Sequence, residues 1–220
     1  GGVNLGNGSL LGIQDDGPVA SVVDDEFSRG EGEGSLDESE LEGTIPASGQ
    51  GDGVYSTTLD VSVAFSGPGG SIGTVGTDVP GVTESYGLVL SGESISSGLN
   101  LLNPTDSTQP GTSIVLVSGT GADAGKVFGV ESGNESNQVF VISVDSSTGV
   151  VTFAYTDTTD PDNIYHSNTL LNDEETFLNT GETGSLLVKQ TITDQDGDSV
   201  TSAGGVNLGN GSLLGIQDDG

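Results

Sequence analysis

Thirty-three acidic side chains stand against three basic ones and a single histidine, giving this chain a formal charge of −30. No other feature constrains its fold as much. Charge of one sign destabilises a compact state by self-repulsion, and high net charge with few aromatics is the composition of chains that stay unfolded. Yet 31% of the 220 residues are hydrophobic, and many fall in alternating, valine-rich runs of the kind that build strands. A chain that can form a core while so charged needs something to offset the repulsion, and multivalent cations are the simplest agent. The same imbalance excludes partners. Arg29, Lys126 and Lys189 are the only basic residues, too few to neutralise a phosphate backbone, so nucleic acid is excluded. An anionic membrane surface repels the chain for the same reason, and apolar runs of a few residues cannot insert across a bilayer. With no cysteine there is no disulfide framework, thiolate metal site or cysteine nucleophile. No signal peptide is evident, but residue 1 is glycine, so the sequence reads as an excised piece and that absence carries no weight.

An internal repeat sets the organisation. Residues Gly1 to Gly17 read GGVNLGNGSLLGIQDDG, and Gly204 to Gly220 read the same seventeen letters. The offset of 203 residues implies a unit of that length repeated in tandem. Residues 1–17 then read as the tail and linker of a preceding repeat, and 18–220 as one repeat ending in the next linker, with neighbouring copies as the expected partners. Near-identical tandem copies fit a structural array better than a catalytic one. The joint is Asp15-Asp16-Gly17-Pro18, echoed by Asp218-Asp219-Gly220. Pro18 fixes its own φ and biases Gly17 towards extended geometry, so the joint is short and stiff. Paired carboxylates at both joints suggest an inter-domain cation site; a polar turn is the plainer alternative.

Most of the chain reads as strand and turn. In Val54–Ser66, Leu59, Val61, Val63 and Phe65 alternate onto one face. Tyr86–Ser91, Ser113–Val117 and Lys126–Val130 are shorter strands. The clearest hairpin is Gln138–Tyr155, whose turn Asp145–Gly149 starts on an aspartate and ends on a glycine suited to positive φ. Ser185–Thr193 and Val200–Leu208 form a second pair around a carboxylate-rich turn. Short strands between Gly, Asn and Asp turns predict an all-β, antiparallel sandwich, with one short helix around Leu170–Leu178. Residues 24–53 hold ten carboxylates against Arg29 and read as an acidic loop, an insertion that orders where Asp37, Glu38 and Glu40 take a cation.

The strongest site motif is Asp194-Gln195-Asp196-Gly197-Asp198. Ca²⁺ takes six to eight oxygen ligands, and a tight turn of alternating aspartates presents them around one point. An EF-hand loop needs a glutamate at its twelfth position, which here is Gly205, so that reading fails while calcium survives; a hydrated turn is the alternative. If the strand after this turn leads straight to the C-terminal joint, the turn lies at the opposite end of the domain, beside Asp15 and Asp16. Asp194, Asp196 and Asp198 then share calcium with them, and Asp218 and Asp219 serve the next unit. Asp157, Asp160 and Asp162 around Pro161 read equally well as a further oxygen site or an exposed turn. His166 is the only histidine and fits a hydrogen-bonded structural role; without cysteine it argues against zinc.

Enzyme chemistry finds little purchase. There is no G-x-S-x-G elbow and no glycine-rich phosphate loop with its lysine. Carboxylate pairs suited to glycoside hydrolysis arise by coincidence among 33 acids. No small-molecule substrate is expected.

The DDGP joint, the Asp-x-Asp-Gly-Asp turn before the final strand and the stretch VFVISVDSSTGVVTFAYTDTTDPD resemble the tandem extender repeats of RTX adhesins. These are giant, type I secreted surface proteins of Gram-negative bacteria. The resemblance runs from about Val82 onward and includes the linker; Ser21–Gly81 matches less clearly. FVISVDSSTG is also similar to cadherin domains, although the linker motif differs. The resemblance implies Ig-like sandwich domains, calcium between and within them, an extracellular position at the bacterial cell surface, and a role as a spacer in cell adhesion and biofilm formation. A unit of 203 residues is long for such a domain, implying an insertion or split sheet. A calcium-dependent carbohydrate-binding module is the alternative, against which stand the lack of tryptophan and the near-identity of the tandem copies.

Overall fold

A computed structural model describes residues 18–22, 27–30, 33–38, 55–65, 82–156, 164–167, 174–182 and 184–217. Among them are thirteen strands, numbered in chain order, in three sheets. The largest has six antiparallel strands in the order β2 (Ser56–Asp60), β8 (Val150–Tyr155), β7 (Asn134–Val144), β6 (Val127–Glu131), β5 (Pro110–Ser118) and β4 (Ile95–Leu102). In the second, β10 (Leu186–Thr193) is flanked along one edge by β3 (Thr83–Leu90) and along the other by β11 (Ser199–Thr201) and β12 (Val206–Asn207). In the third, β13 (Asn210–Gln217) lies between β9 (Glu175–Asn179) and β1 (Ser35–Asp37). The fold is all-β and sandwich-like.

Period-two burial builds the core. Val151, Phe153 and Tyr155 point inward from β8, and Leu186, Val188, Gln190 and Ile192 from β10, while their neighbours are only partly covered. Leu36, Leu99, Phe140, Val188 and Leu214, from all three sheets, join one continuous apolar cluster. Phe140 and Phe153 meet edge to face with centroids 5.2 Å apart, a favoured aromatic geometry. Room for Phe140 comes from Gly129 on the adjacent strand, where a β-carbon would sit 2.2 Å from the ring.

The predicted hairpin forms as β7 and β8. Asp145 Oδ1 accepts from Ser147 N (2.9 Å), Ser147 Oγ (2.7 Å) and Thr148 N (2.9 Å), and Gly149 takes φ +74°. Those bonds, that of the Ser147 hydroxyl foremost, hold the Asp145 carboxyl down at about 2. Tyr86–Ser91, Ser113–Val117, Lys126–Val130 and Ser185–Thr193 likewise fall on strands.

Four expectations need correction. The run Val54–Ser66 stops as a strand at Asp60, because the Asp60 carboxylate accepts from both N and Oγ of Ser62 (2.9 and 2.7 Å) and starts a 3₁₀ turn over Ser62–Ala64. Val61 and Phe65 remain buried, but Val63 is 67% exposed. Of the helix expected around Leu170–Leu178, residues 170–173 lie outside the described residues, and the described part is extended instead: Glu175–Asn179 is strand β9, its backbone paired to β13, so tertiary pairing overrides local propensity. Within the acidic stretch 24–53, Ser35–Asp37 is a strand rather than loop, because Leu36 is fully buried and pairs with Ile216. That β1–β13 pair is parallel, unlike the purely antiparallel arrangement expected.

Candidate metal centre

Strand register places the Asp-rich turn. Thr193 of β10 pairs with Ser199 of β11, their hydroxyls 2.7 Å apart, so Asp194–Asp198 is the five-residue connection. Asp194 N donates to Asp198 O (3.0 Å), and Asp194 Oδ1 accepts from Gly197 N (3.1 Å) and Asp198 N (2.8 Å). Gly197, at φ +101°, takes the backbone conformation that the bend requires and side chains disfavour. The outcome is convergence: one carboxylate oxygen from each of Asp194, Asp196 and Asp198 lies within 4.8 Å of the others. The turn is partly covered at Asp194 and exposed at Asp196 and Asp198.

The electrostatics favour the ionised form at the hub. The Asp196 side chain, followed by the backbone N–H groups of Asp198, Gly197 and Asp196, holds the Asp194 carboxyl below its ordinary range. Two carboxyl groups in such contact share a proton or a cation. Among the described residues, the three basic side chains have bonds elsewhere. Arg29 is paired with Glu175 and stacked 4.9 Å above the Phe177 ring, Lys126 pairs with Asp123 at 2.9 Å, and Lys189 donates to Ala203 O at 3.1 Å. These three are all the Lys and Arg the sequence has. Oxygen-only donors at a tight turn suit a hard divalent ion better than a soft one.

The other expected ligands fare differently. Asp15, Asp16, Asp157, Asp160, Asp162, Asp218 and Asp219 lie outside the described residues. Asp37 ends β1, in register with Gln217. Glu38 follows it but is only 4% exposed, and its oxygens face the interior. Oε1 accepts from Ile164 N (2.8 Å) and Tyr155 OH (3.2 Å), and Oε2 lies 3.4 Å from His166 Nε2. Burial raises the Glu38 pKa, opposed by His166 and the Ile164 N–H, and burial together with the Glu38 charge pushes the Tyr155 phenol up as well. His166, equally buried, meets Thr176 Oγ1 through Nδ1 at 3.1 Å, the structural role expected of it. This polar knot joins β1, β8, β9 and the bridge at Ile164. Sequence reasoning placed Glu38 among surface ligands because nothing local shows that its side chain turns inward.

The strand after the Asp turn does not lead straight out. β11 is followed by β12 and then by β13 in a different sheet, so the step from that strand to the opposite-end placement of the joint does not hold.

Among the described residues, no helix is long and apolar enough to cross a membrane. No curated protein and no solved structure matches the chain. A family profile matches residues 33–209, from just before β1 to the start of β13, and on that match the chain belongs to the family described as Domain of unknown function (DUF5801).

Proposed function

We propose that the chain is a calcium-binding, non-catalytic spacer unit of a tandem array, extending the adhesive tip of a bacterial surface protein away from the cell. The observation that carries this reading is the convergence of Asp194, Asp196 and Asp198 at a turn in a protein whose three basic residues are engaged elsewhere. Calcium there neutralises carboxylates that otherwise repel, and it clamps the connection between β10 and β11. The all-β sandwich and the seventeen-residue repeat suit a unit stacked end to end. The paired carboxylates Asp15, Asp16, Asp218 and Asp219 give each joint an acidic pair with which to share an ion.

The test is small-angle scattering on two or more consecutive units, in millimolar calcium and then in excess chelator. A rigid rod in calcium that bends or collapses in chelator supports the spacer. A shape indifferent to calcium contradicts it and leaves the acidic turn as solvated surface.

A further inference from the structure

Residue order singles out one asparagine. Among the described residues, Asn210 alone is followed by glycine; Asn100, Asn103, Asn134, Asn137, Asn179 and Asn207 precede Leu, Pro, Glu, Gln, Thr and Leu. A following glycine leaves the next backbone nitrogen the freest approach to the side-chain carboxamide, because no β-carbon stands in the way and the backbone can turn. Asn207 shows the contrast. Its Oδ1 accepts from Gly209 N at 3.1 Å, but its neighbour is Leu208, whose side chain is fully buried.

The surroundings of Asn210 suit reaction at that carboxamide. Asn210 opens β13 and is exposed to solvent. Its Oδ1 accepts from Ser212 N and Ser212 Oγ, both at 2.9 Å, a local side-chain-to-backbone turn. That turn closes a ring containing the Gly211 nitrogen. The two donors also draw electron density from the carboxamide carbon and are placed to stabilise a negative oxygen on it. Gly211 takes φ +81°, and the β9–β13 ladder is irregular between Asn210, paired with Asn179, and Gly215. The backbone at this point is therefore not held in a regular register.

We propose that Asn210 is a self-modification site, at which the folded chain converts asparagine to isoaspartate through a cyclic imide with Gly211. Hydroxide takes the Gly211 N–H proton, and the nitrogen bonds to Asn210 Cγ. The bond from Cγ to Nδ2 breaks, and Nδ2 leaves as ammonia. Water then opens the imide. Attack at the backbone carbonyl routes the main chain through the side chain, giving isoaspartate; attack at the side-chain carbonyl gives aspartate. No oxidant, reductant or metal takes part, so the step is separate from the reading of Asp194–Asp198. Isoaspartate adds a methylene to the backbone and a negative charge where the central strand of its sheet begins. Leu213 and Leu214, buried a few residues later, then enter the core from a lengthened lead, and the bonds to Ser212 are lost.

The test incubates the full chain, folded and in urea, over a series of neutral to mildly alkaline buffers. Trypsin cuts after Lys189 and releases Gln190–Gly220, which separates Asn210 from the identical letters within Gly1–Arg29. Tandem mass spectrometry places the amide-to-acid mass gain, and methyl transfer by an isoaspartyl methyltransferase counts the isoaspartate. The folded wild type is expected to accumulate isoaspartate at Asn210 at a rate that rises with hydroxide, while Asn207 stays intact and Asn210→Gln accumulates none at that position. Aged chain is expected to melt below fresh chain, and below Asn210→Asp, which has the charge without the methylene. Asn210 left intact in the folded chain overturns the proposal, and modification in urea alone would show that the fold protects it. Aged chain converted at Asn210 that melts like fresh chain overturns the structural consequence.

Discussion

Glu38 offers the sharpest test of how the sandwich is held at the end of β1. Replacing it by alanine removes the acceptor of two buried donors, Ile164 N and Tyr155 OH, and the carboxylate facing His166 Nε2. A buried donor left without a partner costs roughly 1–3 kcal/mol, so Glu38→Ala is expected to lose roughly 2–6 kcal/mol from these two donors alone. That is a large part of the stability of an ordinary domain, about 5–15 kcal/mol. Glu38→Gln keeps an oxygen acceptor of the same reach, and its cost is expected to stay near 1 kcal/mol. Urea unfolding followed by far-ultraviolet circular dichroism, at fixed calcium, measures both. The pH dependence supplies a second check. Burial raises the carboxyl of Glu38 above its ordinary 4.5, so the folded state holds this proton more tightly than the unfolded state. Relative to Glu38→Gln, the wild type is therefore favoured most below about pH 4.5 and loses that advantage as pH rises through the raised value. An alanine variant within 1 kcal/mol of wild type, or a glutamine variant as damaged as alanine, would falsify this account of the knot.

Gly129→Ala drives a methyl group into the Phe140 ring, 2.2 Å from it, and is expected to lower stability by about 1–3 kcal/mol, the usual range for an overpacked core. Unfolding in urea checks it, and Phe140→Leu in the same chain should restore part of the loss. Asp145→Ala removes the acceptor of the β7–β8 turn and is expected to lower the melting temperature at neutral pH. Because that carboxyl is held down at about 2 from an ordinary 3.8, its contribution is complete above 3.8 and fades towards pH 2. The gap between wild type and variant should close over that window in thermal melts.

The parts of the fold legible in the sequence are those whose determinants are local. The β7–β8 hairpin could be read because Asp145 and Gly149 do their work within five residues and the flanking runs alternate. The Asp194–Asp198 turn was legible for the same reason: its carboxylates converge through bonds made inside the turn itself. Where a determinant is distant, reading fails. The strand at Glu175–Asn179 depends on β13, more than thirty residues later. The strand at Ser35–Asp37 sits in an acidic stretch and owes its form to Ile216 and its neighbours. Val63 illustrates the opposite error, in which a regular alternation is interrupted by one short hydrogen-bonded link from Asp60 to Ser62. Glu38 looks like one more acid in a run of ten, and only its partners Tyr155, Ile164 and His166 distinguish it.

Calorimetric titration of calcium into the wild-type chain and into Asp196→Asn/Asp198→Asn, paired with melts in calcium and in chelator, bears most directly on the proposed role. Asp194 is left in place because its bonds also form the turn. At a hundredfold excess over Kd, one site stabilises the fold by about 2.7 kcal/mol, which for a domain of this size raises the melting temperature by about 5–10 °C. The expected result is saturable binding to the wild type with a rise of that order, and loss of at least one site and most of that rise in the variant. Wild type and variant that bind and melt alike would contradict a calcium site at Asp194–Asp198.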